Sequence, residues 1–455
     1  MQTVHEHPGS RYVHRSAGSI RFGAVPDAAK ATAALPGVAA VVLHADPWIR
    51  DGRVLCGLET DLWDHLFRKG GHLDAGTRLV VAARPSQLDR ARRLLEHALD
   101  GPSDALLDRK GIDPRAPWRA WQERMRIPAR DTDRALRLDD FVELVALEGP
   151  TEIAGATVEE IAPDVYRMHD EGSPELTIDL SSESPGPPLF GIPERRGSLD
   201  GSRLAMHTLG CYAGNDPAGP TTAMHIVAGN SPLIVDGMSG LLPVLRAIGP
   251  APEDVAAFLL THVHQDHLFG IVEAIVSLER AVPVVAAPPV YAELVDLMSA
   301  ILAEPEDAIA ARIDWTPIEP AAPGRPGSRV TIGDATLEAA WVAGPIPTTA
   351  FRIEVDGIVL AISSDTLSSG QMRERGFGSD EIDFVRGFCL DAHTSVLDFG
   401  GAEGNPVHGR PDEWLEDSRG RDVSVIGSHT SAEVPGAEMA FPGRIDVLAK
   451  VASPR

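Results

Sequence analysis

Between Thr261 and Gly270 the chain reads Thr-His-Val-His-Gln-Asp-His-Leu-Phe-Gly, which places three of its 16 histidines and an aspartate within six positions. Imidazole and carboxylate groups at this density suit zinc, iron or manganese better than they suit an ordinary polar loop. His262 and His264 stand two apart, so in extended geometry both rings project to the same side. Asp266 and His267 are expected in the turn that follows, where they can reach back towards a second point. The positioning element must lie just upstream. Val255 to Leu260 is a continuous apolar run of strand length, which predicts a buried strand ending at the ligands.

Around that motif the chain alternates strand-like and helix-like stretches, the pattern of sheets covered by helices. Val38–Leu43 and Arg78–Ala83 read as buried strands, and Ser86–Leu99 as an amphipathic helix with Ser86 as its N-cap. Residues 101–150 look helical or irregular. Downstream, Ala223–Ala228, Leu233–Val235, Val282–Ala287 and Arg421–Gly427 predict strands, while Gly270–Arg280 and Tyr291–Ala303 predict helices. Phe351–Ile362 reads as a hairpin about Asp356-Gly357. Turn formers cluster over 181–201, so two regions are expected, 1–190 and 191–455. The stretch from Asn215 to Pro220 suggests a loop at the site mouth.

Composition narrows the function classes. With 43% hydrophobic residues the chain can bury a sizeable core. No apolar stretch reaches the roughly 18 residues a bilayer span requires, and the first residues carry no basic and apolar leader. Cys56, Cys211 and Cys389 are far apart and odd in number, which favours a reducing cytoplasm over a disulfide framework. A net charge of −25 argues against a nucleic-acid partner, because phosphate backbones need a basic footprint. A small anionic substrate held by metal ions and a few cationic side chains is still allowed.

The segment His262 to His267 resembles the His-x-His-x-Asp-His signature of the metallo-β-lactamase fold. That resemblance implies an α/β (α+β) architecture, an αββα sandwich with its metal site at one rim of the two sheets, here with an N-terminal α/β extension. Leu209–Gly214 and the strands to Asp236 resemble the fold's opening hairpin. Ser363-Ser-Asp-Thr366 resembles its bridging-aspartate segment, and Gly427-Ser-His429 the segment of its last histidine. Within the superfamily the chain looks most like the bacterial phosphodiesterase-like group often fused to a cyclic-nucleotide-binding domain. Pro345–Phe351, Ser363–Leu367, Gly400-Gly401 with Pro406-Val-His408, and upstream Ile20–Pro26 and Trp63–Phe67 carry that likeness.

Carried onto this chain, the family layout implies that His262 and His264 hold a first metal, that Asp266, His267 and His429 hold a second, and that Asp365 bridges them. One departure matters: the family's histidine before the Ser-Ile-Pro-Thr type segment is replaced by Gly344, which leaves the first position a ligand short. One or two divalent ions are therefore expected, zinc first, with manganese and iron also fitting. The candidate catalytic groups are Asp266, His408 and Asp398. His408 would act as a proton donor or as the missing ligand, and Asp398 would orient a histidine. His207 and His225 read as core histidines, His393 as structural or exposed, and Asp236 as a turn residue with a weak link to the site.

The resemblance implies a metal-dependent hydrolase that cleaves a phosphodiester, such as a cyclic nucleotide, with metal-activated water. A lactone, thioester or β-lactam hydrolase of the same fold is the alternative reading. An impaired binding or regulatory relative is a third. The partner expected is a small anionic molecule, with no nucleic acid and no membrane; a homodimer is left open.

Overall fold

The computed structural model describes residues 3–68, 78–129, 134–403 and 405–450. From Ser202 onwards two seven-stranded sheets form. In the first, Ser202–Gly210, Ala223–Ala228 and Ser231–Val235 make an antiparallel meander. Ala257–Leu259, Val282–Ala286 and Ile313–Pro317 then extend it in parallel, and Ile445–Lys450 closes the opposite edge. The second runs in the order Arg329–Ile332, Ala335–Trp341, Thr349–Val355, Ile358–Ile362, Thr394–Asp398, Ser424–Ser428, Glu438–Met439.

Period-two alternation explains why the two sheets face each other. Met206, Ile226, Leu233 and Leu259 on one sheet meet Leu337, Phe351, Leu360 and Ile426 on the other in a single buried cluster. Each such side chain contributes roughly 1.5–3 kcal/mol when fully buried. The outward residues of the first sheet, Ile234, Phe258 and Val284, join the apolar faces of helices Leu241–Ile248, Gln265–Ser277 and Pro288–Leu302. This gives an αββα sandwich.

The preceding residues form a six-stranded mixed sheet, Thr3–His7, Ser10–His14, Ser19–Phe22, Val38–Val42, Leu79–Ala83, Val142–Ala146. A four-stranded antiparallel sheet of residues 151–179 packs on it through Phe22, Val42, Val158 and Tyr166. No helix among the described residues is long and apolar enough to cross a membrane.

Local departures from the sequence reading have physical causes. The helix expected from Ser86 spans Pro85–Asp100 with Arg84 at its N-cap, because a proline at the first helical position needs no N–H partner. Ser86 therefore lies inside the helix. Within 101–150, Val142–Ala146 is a strand, paired in parallel with Leu79–Ala83. The helix expected after Gly270 starts at Gln265. Asp266 and His267 consequently sit in its first turn rather than in a loop, a position where a carboxylate is favoured by the helix dipole.

The two halves are joined by a buried ionic cluster. His97, on helix Pro85–Asp100, donates Nδ1–H to Glu293 at 3.1 Å and Nε2–H to Asp296 at 2.8 Å, both on helix Pro288–Leu302. Burial opposes the charge on His97, but Asp296 and Glu293 outweigh it and raise its pKa to about 9. A raised histidine pKa contributes stability that is complete below about pH 6.5 and is lost as pH climbs through 9. Glu293, lifted from 4.5 to about 7 by burial, loses its own contribution earlier, over about pH 4.5 to 7, so the fall above pH 7 belongs to His97. The melting temperature is therefore expected to fall between pH 7 and pH 9.5. His97→Gln should cost about 3–5 kcal/mol, because it leaves buried carboxylates unpaired, and should flatten that decline. An equally steep pH dependence in the variant would remove His97 as its source.

Candidate metal centre

The strand Ala257–Leu259 delivers its chain to the rim, and the next residues converge there. His262 Nε2 lies 3.0 Å from His264 Nδ1 and 3.7 Å from Asp365 Oδ2. These three residues form one donor set. The second is Asp266, His267 and His429. His429 Nε2 stands 3.2 Å from Asp266 Oδ2 and 3.4 Å from His267 Nε2. Asp365 reaches this set as well, with Oδ1 3.2 Å from His267 Nε2 and 3.5 Å from His429 Nε2. All six residues singled out as ligands thus meet in one place. His262, His264, His267, Asp365 and His429 are buried.

Electrostatics shows whether these groups suit a cation. Burial, and then the neighbouring His267, push His262 well below the ordinary histidine range, and burial lowers His264 too. Both present neutral imidazole, the ligating form. Burial opposes ionisation of Asp365, yet His429, His267 and His408 outweigh it and keep the carboxyl well below the usual range. Asp266 is held down in the same way by His267 and His429. His267 shifts upwards, since Asp365, Asp266 and Asp236 together outweigh its burial. The cluster therefore stabilises positive charge where its carboxylates converge, the charge a divalent ion would supply. The residues present fit such a group.

Second contacts orient the rings. His267 gives Nδ1–H to Asp236 Oδ2 at 2.8 Å, and Asp236 Oδ1 accepts the backbone N–H and the hydroxyl of Thr261, both at 2.9 Å. Asp236 is thus tied to the site, against the weak link read from the sequence. Asp398 joins His408 to the centre. Its Oδ2 accepts His408 Nδ1–H at 2.9 Å and Thr366 N–H at 3.0 Å, and its Oδ1 accepts Gly400 N–H at 2.8 Å. His408 Nδ1 lies 3.8 Å from Asp365 Oδ2, on the side of His429 rather than of His262 and His264. His207 and His225 pair across adjacent strands, buried and away from the centre. His393 is exposed and accepts Val359 N–H.

Gly344, where the resemblance implies a histidine, stands in closely packed surroundings. A Cβ there would meet Thr348 Oγ1 at 2.3 Å and Thr348 Cβ at 2.7 Å. Thr348, whose hydroxyl donates to the Ile346 carbonyl, thus fills the space that any side chain at 344 would need. Gly344→Ala is expected to destabilise the fold by about 1–3 kcal/mol through overpacking, measured as a lower melting temperature. An unchanged value would mean that Thr348 yields freely.

The N-terminal half supplies a wall that sequence reasoning missed. The Ala98 carbonyl accepts Nε2–H of His264 at 3.2 Å, which turns Nδ1 towards the donor set. Glu59 and Gln265 exchange backbone-to-side-chain hydrogen bonds at 2.9 and 3.1 Å. Trp63 meets His264 edge-on at 5.8 Å. Beside the donors lies a cavity lined by His264, Asp266, Asp365, His408 and His429 and also by Lys30, Trp63, Phe67 and Met125. Gly214 and Asn215 line it too; of the loop expected over 215–220, Asn215 alone is among the lining residues.

No family model matches the chain. Among curated proteins it is similar to ribonuclease Z from Mycobacterium bovis (strain BCG / Pasteur 1173P2), 30% identical over 182 residues, 37% of this chain and 63% of that enzyme. It is 25% identical over 193 residues to the cAMP/cGMP-dependent 3',5'-cAMP/cGMP phosphodiesterase B of Dictyostelium discoideum, covering 41% of this chain and 17% of that protein. The chain spans less than two thirds of the length of either relative. Among solved structures, a metallo-beta-lactamase fold protein from Bacillus subtilis aligns with a TM-score of 0.39 at 17% identity, over 53% of this chain and 98% of that one.

One expectation is overturned here. The acidic balance was read as excluding a nucleic-acid partner, yet a relative at 30% identity is a ribonuclease by name. Net charge sums over the whole surface, whereas a phosphate entering a metal site responds to the local field.

Proposed function

We propose that this chain, whose C-terminal half has the metallo-β-lactamase fold, is a metal-dependent phosphodiester hydrolase. The carrying observation is the meeting of two buried donor sets at one carboxylate, Asp365. In this reading His262, His264 and Asp365 hold one divalent ion, Asp266, His267, His429 and Asp365 hold another, and zinc is the first choice. Such ions, when bound, activate water and neutralise phosphoryl oxygens. Asp236, Asp398, Thr261 and the Ala98 carbonyl fix the rings. His408, raised to about 9 by Asp398 and Asp365 against its burial, carries the proton for the leaving oxygen. Residues 1–190 wall the pocket and 191–455 carry the chemistry. Three free, buried cysteines fit a cytoplasmic setting.

The substrate we favour is a nucleotide phosphodiester, with a 3',5'-cyclic nucleotide as the first candidate, supported by the sequence likeness to a cyclic-nucleotide phosphodiesterase. The stronger identity to ribonuclease Z favours RNA as the second reading. The test is turnover by protein loaded with zinc or manganese on bis(p-nitrophenyl) phosphate, cyclic AMP, a 3'-extended tRNA, a lactone and a thioester. Cleavage of a diester with little action on the carbonyl substrates is expected. The reverse pattern would move the chain to acyl hydrolysis, and no turnover with metal bound would leave a binding protein.

A further inference from the structure

We propose that Lys30, supplied by the N-terminal half, anchors the substrate's anionic group inside the metal pocket, an assignment that rests on the phosphodiester reading. Lys30 lies on the short helix Pro26–Ala31 and is 2% exposed. Its side chain lines the same cavity as Asp266, Asp365, His408 and His429. The ammonium donates to the Ala213 carbonyl at 2.8 Å and stands 5.7 Å from the Phe190 ring. Among the described residues it makes no other hydrogen bond and no ion pair.

A buried ammonium with one neutral acceptor is an incomplete arrangement, because three donors have lost water and one has a partner. Asp266, Asp216 and Asp27 support it only from a distance. Of these, Asp266 is committed to the metal centre in the proposed function, so its support weakens when the site is loaded. Asp27, Glu59 and Asp100 also line the cavity, where burial raises the pKa of each and reduces the negative charge an anion would meet. Lys30 offsets what remains of it beside the Asp266–His267–His429 set. The same cavity is lined by the apolar side chains of Trp63, Phe67, Met125 and Ile127. Anion holder and apolar lining together suit a phosphodiester with a flat apolar group, such as a nucleoside.

The competing explanation is a strut that merely holds the Ala213 loop. Lys30→Gln separates the two, since glutamine keeps an N–H donor but no charge. Lys30→Met, close in shape and apolar, guards against failure to fold, and Lys30→Arg restores charge. All are compared with the parent at equal metal content, using bis(p-nitrophenyl) phosphate as the anionic substrate and p-nitrophenyl acetate as a neutral one. The expected result is a KM for the diester raised about 10- to 100-fold in Lys30→Gln and Lys30→Met, as for loss of a hydrogen bond to a charged group. The kcat should change less than about 3-fold, the ester KM should barely move, and Lys30→Arg should recover part of the loss. Equal losses on both substrates, or no change on either, would overturn the assignment. If the parent turns over neither substrate, the hydrolase reading fails and Lys30 is judged by AMP binding in isothermal titration. Binding about 10-fold weaker in Lys30→Gln keeps the anchor; unchanged or undetectable binding in the parent and variant overturns it.

Discussion

Asp365→Ala is expected to abolish turnover and empty both metal positions together. Its Oδ2 faces His262 at 3.7 Å, while its Oδ1 faces His267 at 3.2 Å and His429 at 3.5 Å. Among the six proposed ligands it is the one whose two carboxylate oxygens face different sets. Outer partners of metal ligands are worth about 10- to 100-fold in affinity, so a shared ligand should cost at least about 100-fold at each position. Without Asp365 only His262 and His264 remain at the first position, against Asp266, His267 and His429 at the second. Elemental analysis of the purified variant should find well under one equivalent. His262→Ala, by contrast, should keep the ion held by Asp266, His267 and His429. A variant without Asp365 that retained two ions and a tenth or more of parental activity would sink the bridging role. Loss of folding is a separate outcome, checked by circular dichroism, and Asp365→Asn then serves as the milder change.

The part of this centre that is local in sequence was legible. His262, His264, Asp266 and His267 announce themselves by density, and the strand before them follows from an apolar run. Asp365 and His429 were legible only through a resemblance, since each is a single residue at a strand end. What escaped depends on tertiary approach. Nothing in the spacing of Asp236 says that it will accept from His267, because 31 residues separate them and only the parallel pairing of adjacent strands brings them together. The Ala98 carbonyl carries no sequence signal at all; any residue has one. Lys30 carries no sequence signal either, and only tertiary packing makes it a buried group.

The misplaced helix start is instructive for the same reason. Period-two spacing put His262 and His264 on one side, and the rings do meet, at a centroid separation of 4.7 Å. Extending that logic, Asp266 and His267 were placed in a loop. In fact His264 occupies the N-cap position and the helix begins at Gln265. A rigid first turn fixes the Asp266 and His267 backbones, and the pair then reaches the second donor set without a flexible loop to order. The nucleic-acid exclusion failed on scale rather than pattern: a charge of −25 spread over a large surface says little about one pocket that contains Lys30.

His408→Ala is expected to lower kcat about 10²- to 10³-fold on substrates with a poor leaving group, within the range for general acid–base catalysis. Metal content should be unchanged. The argument is geometric. Nδ1 of His408 is engaged by Asp398 at 2.9 Å, and that carboxylate is itself fixed by the backbone N–H groups of Thr366 and Gly400. His408 also lines the cavity, and the neighbouring carboxylates keep it protonated near neutral pH. A group so held can hand a proton to a departing alkoxide. It should matter little when the leaving group is p-nitrophenolate, which departs without one. The loss should therefore be large on a nucleotide diester and small on bis(p-nitrophenyl) phosphate. Asp398→Asn should follow the same leaving-group dependence with a smaller loss, because it acts by positioning His408. The rival role, in which His408 completes a metal site with Asp365 and His429, makes the opposite forecast. Ligand loss would remove metal and depress both substrates equally. Paired kinetics on the two diesters, with metal analysis of the same samples, decide between a proton donor and a ligand.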